Sequence, residues 1–589
     1  MDNTTTKSTS RKSLYCYVIL FLIIFLQLGR IIYAFAYLKE DFHSDEIWSF
    51  GLSNSYYEPF IFQSADHTET INNDKWISSD VMKDYLTVDK DQRFSYGSVY
   101  YNQVHDYHPP LYYFILHTIC SFFPERFSPW YGFSINILAF VFTMFFMYKL
   151  LFTVSKSEIT ALIGCAFYGF SIGAVNTFVF VRMYCLLTMF SVALLYYHAE
   201  LYKSRFSKNN LLILFIVSLC GCLTHHFFIP YAGLIAACFF IYYLIKKRIK
   251  DLISYSVTML CSVAASLIIF PATIDHLFSG RIDDTKLPYM WQIKMAINCL
   301  LTELFGFSIS VIPKISYTAL LIEIICALII LAPLVFLFRK EEWFKKFIRV
   351  TKKGLCSVLE KFKTLDLMIV SVVVSTVGIM LLTSLTVSLM VMGVHTDRYI
   401  FYLFPGTVAA VVWIVTGIAR FIIKKKWVTE IIALVVSGAL CISSNCYGAY
   451  TYLLTKPQDI VHIKSVIDDS DCVFICTELW LLTCFTKDSV DAQNLYITTA
   501  KDLEKVADIP DPPSNQNSLY YFVEDRSFFI EYEDGKLGGQ LPSMGRTADQ
   551  SDKMKKQDFE ELLMKKYSKC ENIGYDTVMG RTFYIYRVK

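Results

Sequence analysis

The sequence is dominated by apolar runs, many of them about as long as a membrane-spanning helix. A helix needs about 20 apolar residues to cross the hydrocarbon core of a bilayer. Of the 589 residues 54% are hydrophobic, and the 18% that are charged fall below the share of about 25% in soluble domains. We therefore predict an α-helical polytopic membrane protein. The runs are 14–38, 109–124, 129–151, 158–180, 182–201, 210–226, 227–245, 252–278, 315–338, 366–394, 399–422 and 427–453.

Basic residues between the runs predict which side of the membrane each loop faces, because loops rich in Lys and Arg stay in the cytoplasm. The basic clusters are Lys203/Arg205/Lys208, Lys246/Lys247/Arg248/Lys250, the stretch 339–363 and Lys424/Lys425/Lys426. The N-terminal basic residues agree, so the first run is predicted to be an uncleaved span with a cytoplasmic N-terminus. The segments then predicted to face outwards are 39–108, 180–182, 224–227, 276–314, 394–399 and everything after about 454.

The number of runs between residues 109 and 180 conflicts with this orientation. Three runs lie there, although the loops on either side require an even number of crossings. The run 109–124 is short and ends at Pro124-Glu125-Arg126, so we predict that it or a neighbour does not cross fully. The expected total is about eleven spans, or about thirteen if two runs have been merged.

The composition changes after about residue 456. Alternating apolar residues at 472–476, 518–523 and 582–588 predict strands, and 551–567 predicts a helix with a charged face. We therefore predict a membrane domain over 1–455 and a small extracytoplasmic α/β domain over 456–589. The loop 39–108 is long and aromatic, and it is expected to contain ordered juxtamembrane helices.

Polar side chains that a membrane tolerates poorly cluster on the predicted outer side. Asp45 and Glu46 directly follow the first run, and adjacent carboxylates at the mouth of a span usually have a function. Arg182 lies in a strongly apolar stretch, where it needs an anionic partner or water. The remaining polar residues at outer ends of runs are His43, His105, Asp106, His108, His225, His226, His276, His395 and Arg398.

Each cluster also has a plain structural interpretation. The two carboxylates could lie in a solvated loop, Pro109 and Pro110 suit an ordinary helix start, and Arg182 could extend to the interface. The histidine pair at 225–226 could simply cap a turn. Their common side and their bias towards His and Arg favour one polar cavity, open to the outside, in which cations face carboxylates.

Such a cavity suits transfer of a group from a lipid phosphate to a hydroxyl. Arginine binds phosphate oxygens through two parallel N–H groups, and cations stabilise the charge that develops on a leaving phosphate. A carboxylate can take the proton of the acceptor hydroxyl as general base. The apolar clefts between spans would accommodate a lipid tail.

The order of these motifs resembles the GT-C glycosyltransferases, and most closely the protein O-mannosyltransferase-like branch that includes the lipid A aminoarabinose transferases. The matching motifs are Ser44-Asp-Glu-Ile47, Asp106-Tyr-His-Pro-Pro-Leu-Tyr112, Arg182-Met-Tyr184, Thr224-His-His226 and Arg398-Tyr399. The resemblance covers about residues 14–453 and is strongest over 41–185. It implies a GT-C fold of about 11–13 transmembrane helices and transfer of a sugar from a polyprenyl phosphate with inversion at the anomeric carbon.

Carried onto this sequence, the resemblance implies that Asp45 is the catalytic residue, which we expect to act as general base. The residues expected to bind the donor phosphate are Arg182, Arg398 and His225. Those expected to position the substrate are Glu46, Asp106, His108, His226 and His395. Glu46, Asp106 and His108 could instead hold Asp45 in place. The scheme requires no cofactor and indicates no metal, although some side chains could bind a divalent ion. These metal candidates are His105, His108, His225 and His226.

The expected partners are a polyprenyl-phosphate sugar, membrane lipids and a hydroxyl acceptor, without nucleic acid. A composition rich in Lys, Ile, Tyr and Asn suggests a low-GC bacterium, hence an undecaprenyl-phosphate donor at the outer face of the plasma membrane. The acceptor could be a cell-wall glycan, a lipid-linked glycan or a protein. Because the C-terminal region does not resemble the β-trefoil domain of eukaryotic protein mannosyltransferases, a protein acceptor is in doubt.

Two other functions remain open from the sequence. A transporter or flippase for a lipid-linked sugar would also need cations for phosphate, but it predicts buried charges at mid-span. A non-catalytic cell-envelope assembly protein does not explain Asp45 and Glu46 together with Arg182. One-sided clustering of the polar residues favours an enzyme.

Overall fold

The computed structural model describes residues 3–203, 206–278, 289–308, 366–386, 397–423, 425–499, 503–514, 518–528 and 554–589. Several features named above lie outside these residues. They are the apolar run 315–338, the basic stretch 339–363 and His395.

Helices dominate the chain up to about residue 450. The first helix, α1 (Asn3–Tyr33), continues as a π-helical turn to Leu38. The helices that follow are α2 (Ser44–Asn54), α3 (Asp80–Leu86), α4 (Tyr96–His105), α5 (Leu111–Ser121), α6 (Pro129–Ser155), α7 (Glu158–Phe170), α8 (Ile172–Val179), α9 (Tyr184–Lys203), α10 (Lys208–Cys222), α11 (Phe228–Ile245), α12 (Ile249–Ile269), α13 (Ala272–Phe278) and α14 (Tyr289–Phe305). The later membrane helices are Leu367–Thr386, Phe404–Ile422 and Lys426–Tyr447.

Within the described residues, 7 helices are long and apolar enough to cross a membrane. They are Leu14–Leu38, Pro129–Ser155, Tyr184–Lys203, Phe228–Ile245, Ile249–Ile269, Asp397–Phe421 and Lys426–Tyr447. The pair α7 and α8 is bent by 61° and would form an eighth span if it crosses as one unit. Shorter apolar helices occupy Leu111–Ser121, Lys208–Cys222 and Leu367–Thr383. The prediction of a helical polytopic membrane protein is confirmed.

Helix α5 explains the conflict in the number of crossings. It has 11 residues, so it is about 16 Å long, roughly half the thickness of the hydrocarbon core. Tyr112, Tyr113 and Leu116 on this helix are fully buried against the protein. The helix is therefore too short to cross alone, as the sequence predicted for one of these runs. If the bent pair α7 and α8 crosses as one unit, it and α6 give two crossings between residues 109 and 180, the even number that the predicted orientation requires.

A mixed sheet of six strands in the order β1-β3-β2-β4-β6-β5 forms the C-terminal region. The strands are β1 (Trp76–Ser78), β2 (Asp471–Cys476), β3 (Asn494–Thr499), β4 (Leu519–Glu524), β5 (Cys570–Val578) and β6 (Arg581–Val588). The predictions of β2, β4 and β6 are confirmed, as is a helix, Lys556–Lys566, within 551–567. β1 belongs to the 39–108 loop and pairs antiparallel with β3, so the loop and the C-terminal region share one sheet.

Gly51 allows α2 to lie directly against the ring of Tyr85 on α3. A Cβ at position 51 would lie 1.9 Å from Tyr85 Cζ. This ring has little freedom to move, since it is buried and its hydroxyl donates to the Pro59 carbonyl at 3.1 Å. Gly51 thus fixes the distance between the helix that carries Asp45 and the rest of the loop.

We expect Gly51→Ala to destabilise the protein by about 1–3 kcal/mol, because the added methyl overpacks this contact. The measurement is the thermal unfolding temperature in detergent. Gly233→Ala is the matched control, because it also lies in a helix but has no heavy atom within 4 Å of the new Cβ. The control should be neutral or stabilising by up to about 1 kcal/mol. Equal unfolding temperatures for the two variants would contradict this account of the contact.

Candidate active site

The start of α2 is fixed by a reciprocal cap. The Nδ1 atom of His43 accepts a hydrogen bond from the Asp45 N–H at 3.1 Å, and the Glu46 carboxylate accepts one from the His43 N–H at 2.9 Å. Such a cap satisfies two N–H groups that a helix start leaves without partners. Because Nδ1 of His43 is the acceptor, any proton of the neutral ring is on Nε2. Asp45 is thereby held in the first turn of the helix.

Glu46 joins three parts of the chain. Besides the His43 N–H, its carboxylate accepts from Lys39 Nζ at 2.9 Å and from the Val181 N–H at 2.8 Å, and its side chain is fully buried. Lys39 ends the first span and Val181 lies at the corner between α8 and α9. All these contacts are with the protein itself. They favour the second of the two roles expected for Glu46, holding Asp45, over binding of the sugar.

We expect Glu46→Ala to destabilise the protein by about 3–5 kcal/mol, because it leaves the Lys39 ammonium buried without its partner. The loss should appear as a lower unfolding temperature and a smaller yield of monodisperse protein. Glu69→Ala, which removes an exposed carboxylate from the same loop, should leave both unchanged. If Glu46→Ala is as stable as Glu69→Ala, the contacts of the Glu46 carboxylate do not stabilise the protein.

Asp45 differs from its neighbour in lying between two arginines. Its Oδ2 atom is 3.2 Å from Arg398 Nε, and its backbone carbonyl accepts from Arg182 Nη1 at 2.9 Å. Burial alone would raise the pKa of Asp45, but the positive charges of Arg398, the stronger of the two, and Arg182 hold it well below its usual value. With 12% of the side chain exposed, the carboxylate is ionised and still accessible.

Arg182 reaches this position because the chain breaks its helical course between α8 and α9. Asn136 holds the corner by donating to the carbonyls of Phe178 and Phe180 at 2.9 and 2.8 Å. Only 2% of Arg182 is exposed, and within the described residues its Nε atom has no hydrogen-bond partner. A buried guanidinium with unused donors requires an anion or water beside it.

Arg398 is supported by groups that the sequence analysis did not single out. It lies in a 3-10 turn, Asp397–Leu403, at the start of a span. Asp397 accepts from the Tyr452 hydroxyl at 2.8 Å and from the Arg398 N–H at 3.1 Å. The guanidinium also lies over the Tyr399 ring, 4.9 Å from its centroid. Asp397 could have been suspected as the neighbour of Arg398, whereas Tyr452 gives no signal in the sequence.

The remaining site histidines are neutral and oriented. His108 Nδ1 lies 2.7 Å from Asp106 Oδ2, and burial lowers the pKa of His108. Its Nδ1–H therefore donates to Asp106, leaving Nε2 as an acceptor. His225 Nδ1 accepts from the Phe227 N–H at 3.0 Å, so Nε2 carries the proton, and burial holds the pKa of His225 well below its usual value. His225 is thus a neutral N–H donor, and such a group can donate a hydrogen bond to a phosphate oxygen.

The other predicted residues lie further from this arrangement. His226 is 5.5 Å from His276 between ring centroids, and burial lowers its pKa to about 3. His105 lies against Tyr101 of its own helix, with Nδ1 2.9 Å from the Tyr101 carbonyl. In the described part of the chain no three His, Cys, Asp or Glu side chains are placed to hold a metal ion.

The site therefore combines residues far apart in sequence. An accessible carboxylate lies beside one guanidinium group, and a second guanidinium donates to the backbone carbonyl of the same residue. A carboxylate–imidazole pair and a neutral imidazole N–H donor lie close enough to interact with these charges. The residues in this order are Asp45, Arg182, Arg398, Asp106 with His108, and His225. Such a set can bind an anion and can accept a proton from a hydroxyl.

Comparison with solved structures found two crystal structures of ArnT from Cupriavidus metallidurans, one in the apo state and one bound to undecaprenyl phosphate. Each is 8% identical in sequence, matches over 98% of both chains and has a TM-score of 0.46. Archaeal oligosaccharyltransferase AglB from Archaeoglobus fulgidus, in complex with an inhibitory peptide and a dolichol-phosphate, is 10% identical over 82% of this chain and 64% of its own, with a TM-score of 0.42. No protein-family model and no curated protein sequence matches this chain.

Proposed function

We propose that this protein is a membrane glycosyltransferase that moves a sugar from a polyprenyl-phosphate donor to a hydroxyl acceptor with inversion. The observation that carries the proposal is Asp45, an accessible carboxylate 3.2 Å from Arg398 and hydrogen-bonded through its carbonyl to Arg182. Arginines bind the phosphate of a lipid donor, and a carboxylate beside them accepts the proton of an incoming hydroxyl. The motifs that resemble GT-C glycosyltransferases contain these three residues.

In the proposed reaction the acceptor oxygen attacks the anomeric carbon from the side opposite the phosphate. The O–H proton passes to Asp45, the new C–O bond forms, and the bond to phosphate breaks with its electron pair remaining on the phosphate oxygen. Arg182, Arg398 and the Nε2–H of His225 would stabilise the charge on the leaving phosphate. Displacement from the opposite face inverts the anomeric centre. No metal takes part in these steps.

The same arginines would make the reaction depend on the donor. In the free protein they hold the pKa of Asp45 well below its usual value, which makes the carboxylate a weak base. A bound phosphate would neutralise part of their charge and so raise the basicity of Asp45. Proton removal from the acceptor is then favoured only when the sugar donor is already in place.

The position of the charges supports an enzyme over a transporter. Arg182 lies just before the start of α9, His225 just before α11, and Arg398 at the start of the span Asp397–Phe421. Asp45 follows the end of the first span. Each of these is the end predicted to face outwards, and the basic loops at the opposite ends predict the cytoplasmic side. A site confined to one end suits chemistry at the outer face of the plasma membrane.

The proposal is tested by a transfer assay with the purified full-length protein in nanodiscs. The donors are radiolabelled polyprenyl-phosphate hexoses, the acceptor is a crude cell-envelope fraction, and the control donors are nucleotide sugars with the same hexoses. Label should move to the envelope from a polyprenyl-phosphate donor and not from a nucleotide sugar. Absence of transfer from every lipid donor, by protein that is folded and binds polyprenyl phosphate, would contradict the proposal and favour a transporter.

A further inference from the structure

A cavity of about 600 Å³ lies where the 39–108 loop meets the C-terminal region. Its volume falls within the range of about 300–1,000 Å³ that is usual for small-molecule sites. Three separate parts of the chain line it: Phe42 from the first loop, Phe127 and Pro129 from the start of α6, and residues after 455. Asp45 and its arginines do not line it, so it is distinct from the site described above.

The lining contains three lysines, Lys456, Lys464 and Lys487, and three carboxylates, Glu40, Asp488 and Asp576, so these charges balance. Lys456 lies 3.1 Å from Asp41 and 2.9 Å from Asp576, and Lys487 lies 3.3 Å from Asp41 and 2.5 Å from Asp488. Both ammonium groups are therefore paired with carboxylates. An anionic ligand would find no uncompensated cation at these lysines, in contrast to Arg182 with its unused Nε donor.

The walls of the cavity suit a polyol. Ammonium groups donate hydrogen bonds and carboxylates accept them, so together they match hydroxyl groups, which do both. Phe42, Phe127 and Pro129 supply apolar surfaces on which the C–H faces of a sugar ring can pack. A small number of polar groups among apolar walls is the usual construction of a site that fixes the orientation of its ligand.

The cavity and Asp45 are joined by a short piece of chain. Phe42 lines the cavity and His43 caps the helix that carries Asp45. Asp41 and Asp45 are four residues apart, so their Cα atoms are separated by at most about 14 Å. Burial and the charges of Asp41 and Asp45 raise the pKa of Cys484 in the C-terminal region, so both carboxylates lie close to this one thiol.

We propose that this cavity binds the glycan part of the acceptor, that the bound glycan is uncharged, and that binding there brings its hydroxyl to Asp45. The inference rests on the proposed glycosyltransferase function and adds the chemical class of the acceptor. Occupation of the cavity would place the acceptor beside the α2 N-terminus, while the polyprenyl chain of the donor lies among the spans. The C-terminal region then contributes acceptor binding to a reaction centred in the membrane part.

The test blocks the cavity without changing the catalytic residues. Ser465 lines the cavity and is exposed, so Ser465→Cys can be labelled with a bulky maleimide. Ser568→Cys is the matched control, an exposed serine of the same region that does not line the cavity. Labelled wild type corrects for the native cysteines. The transfer assay above is run with increasing amounts of envelope fraction, and binding of undecaprenyl phosphate is measured in parallel.

Labelled Ser465→Cys should need at least about ten times more envelope for half-maximal transfer, with undecaprenyl-phosphate binding unchanged. Labelled Ser568→Cys should behave as labelled wild type. When the product is separated by anion exchange, the radioactive sugar should appear in the neutral glycan fraction. The inference would be overturned if maleimide-labelled Ser465→Cys needed no more envelope fraction than labelled wild type for half-maximal transfer. It would also be overturned if the radioactive sugar appeared only in the anionic fraction. If wild type without maleimide transfers no sugar, the proposed function itself fails. This outcome is distinguishable from the two results that would overturn only the inference about the cavity.

Discussion

The variant Asp45→Asn is expected to transfer sugar about 100 to 10,000 times more slowly than wild type, the range usual for loss of a general base. Asparagine has nearly the same shape and keeps the backbone carbonyl that accepts from Arg182. It cannot accept the proton of the acceptor hydroxyl. The helix start should remain intact, since its cap is formed by His43 and Glu46 rather than by the Asp45 side chain. The measurement is the initial rate at saturating donor and acceptor.

The same substitution should not weaken binding of the donor. The Asp45 carboxylate competes with phosphate for Arg398, from which it lies 3.2 Å. Asp45→Asn should therefore bind undecaprenyl phosphate as tightly as wild type or more tightly. Asp91→Asn, the same chemical change at an exposed position of the same loop, should alter neither rate nor binding. A slow Asp45→Asn that has also lost lipid binding would indicate a role in donor binding instead of proton transfer.

The variant Arg398→Gln is expected to lower the transfer rate by about 100- to 1,000-fold, the range observed when a donor to a developing oxyanion is removed. It should also weaken binding of undecaprenyl phosphate, because a charged bidentate partner of the phosphate is lost. Arg398→Lys should restore only part of the activity, since an ammonium keeps the charge but not the planar fork. The measurements are the transfer rate and the affinity for the lipid.

Arg398→Gln also has a predicted effect on the pH dependence. Arg398 is the strongest of the charges that lower the pKa of Asp45, so its removal should raise that pKa. The base works only when ionised, hence the variant should lose activity at a higher pH than wild type as the pH falls. Arg420→Gln, at the other end of the same span, is the control and should keep the wild-type profile. A rate loss without displacement of the acid limb would contradict Asp45 as the base.

The sequence predicted the membrane helices and much of the sheet because their physical signals are local. Spanning runs, the short helix α5 and the alternating strands β2, β4 and β6 all follow from apolar spacing. β1 contributes only Trp76–Ser78 and is fixed by pairing with β3. β5 lies at the edge of the sheet and is only partly buried, so its sequence shows no clear alternation. These two strands depend on their partners and not on their own composition.

The sequence identified the charged residues of the candidate site but not which groups each of them contacts. Buried Asp and Arg are costly in a membrane protein, and that cost pointed to Asp45, Arg182 and Arg398. Neighbours such as Asp45 and Glu46 cannot be told apart by the same argument. The two side chains point about 100° apart around the helix. Asp45 therefore contacts Arg398, whereas Glu46 is enclosed by Lys39 and the backbone of Val181. The neutrality of the histidines depends on burial, which is a property of the folded chain.

The central claim is that sugar transfer and release of the lipid phosphate are one step that depends on Asp45. The most direct test uses a polyprenyl-phosphate hexose labelled with tritium in the sugar and with phosphorus-32 in the phosphate, incubated with the protein in nanodiscs and with envelope acceptor. Wild type should release one polyprenyl phosphate for each sugar transferred, with inverted anomeric configuration, and Asp45→Asn should do neither at a comparable rate. Equal rates for the two proteins, or sugar crossing the membrane still attached to its phosphate, would contradict the account.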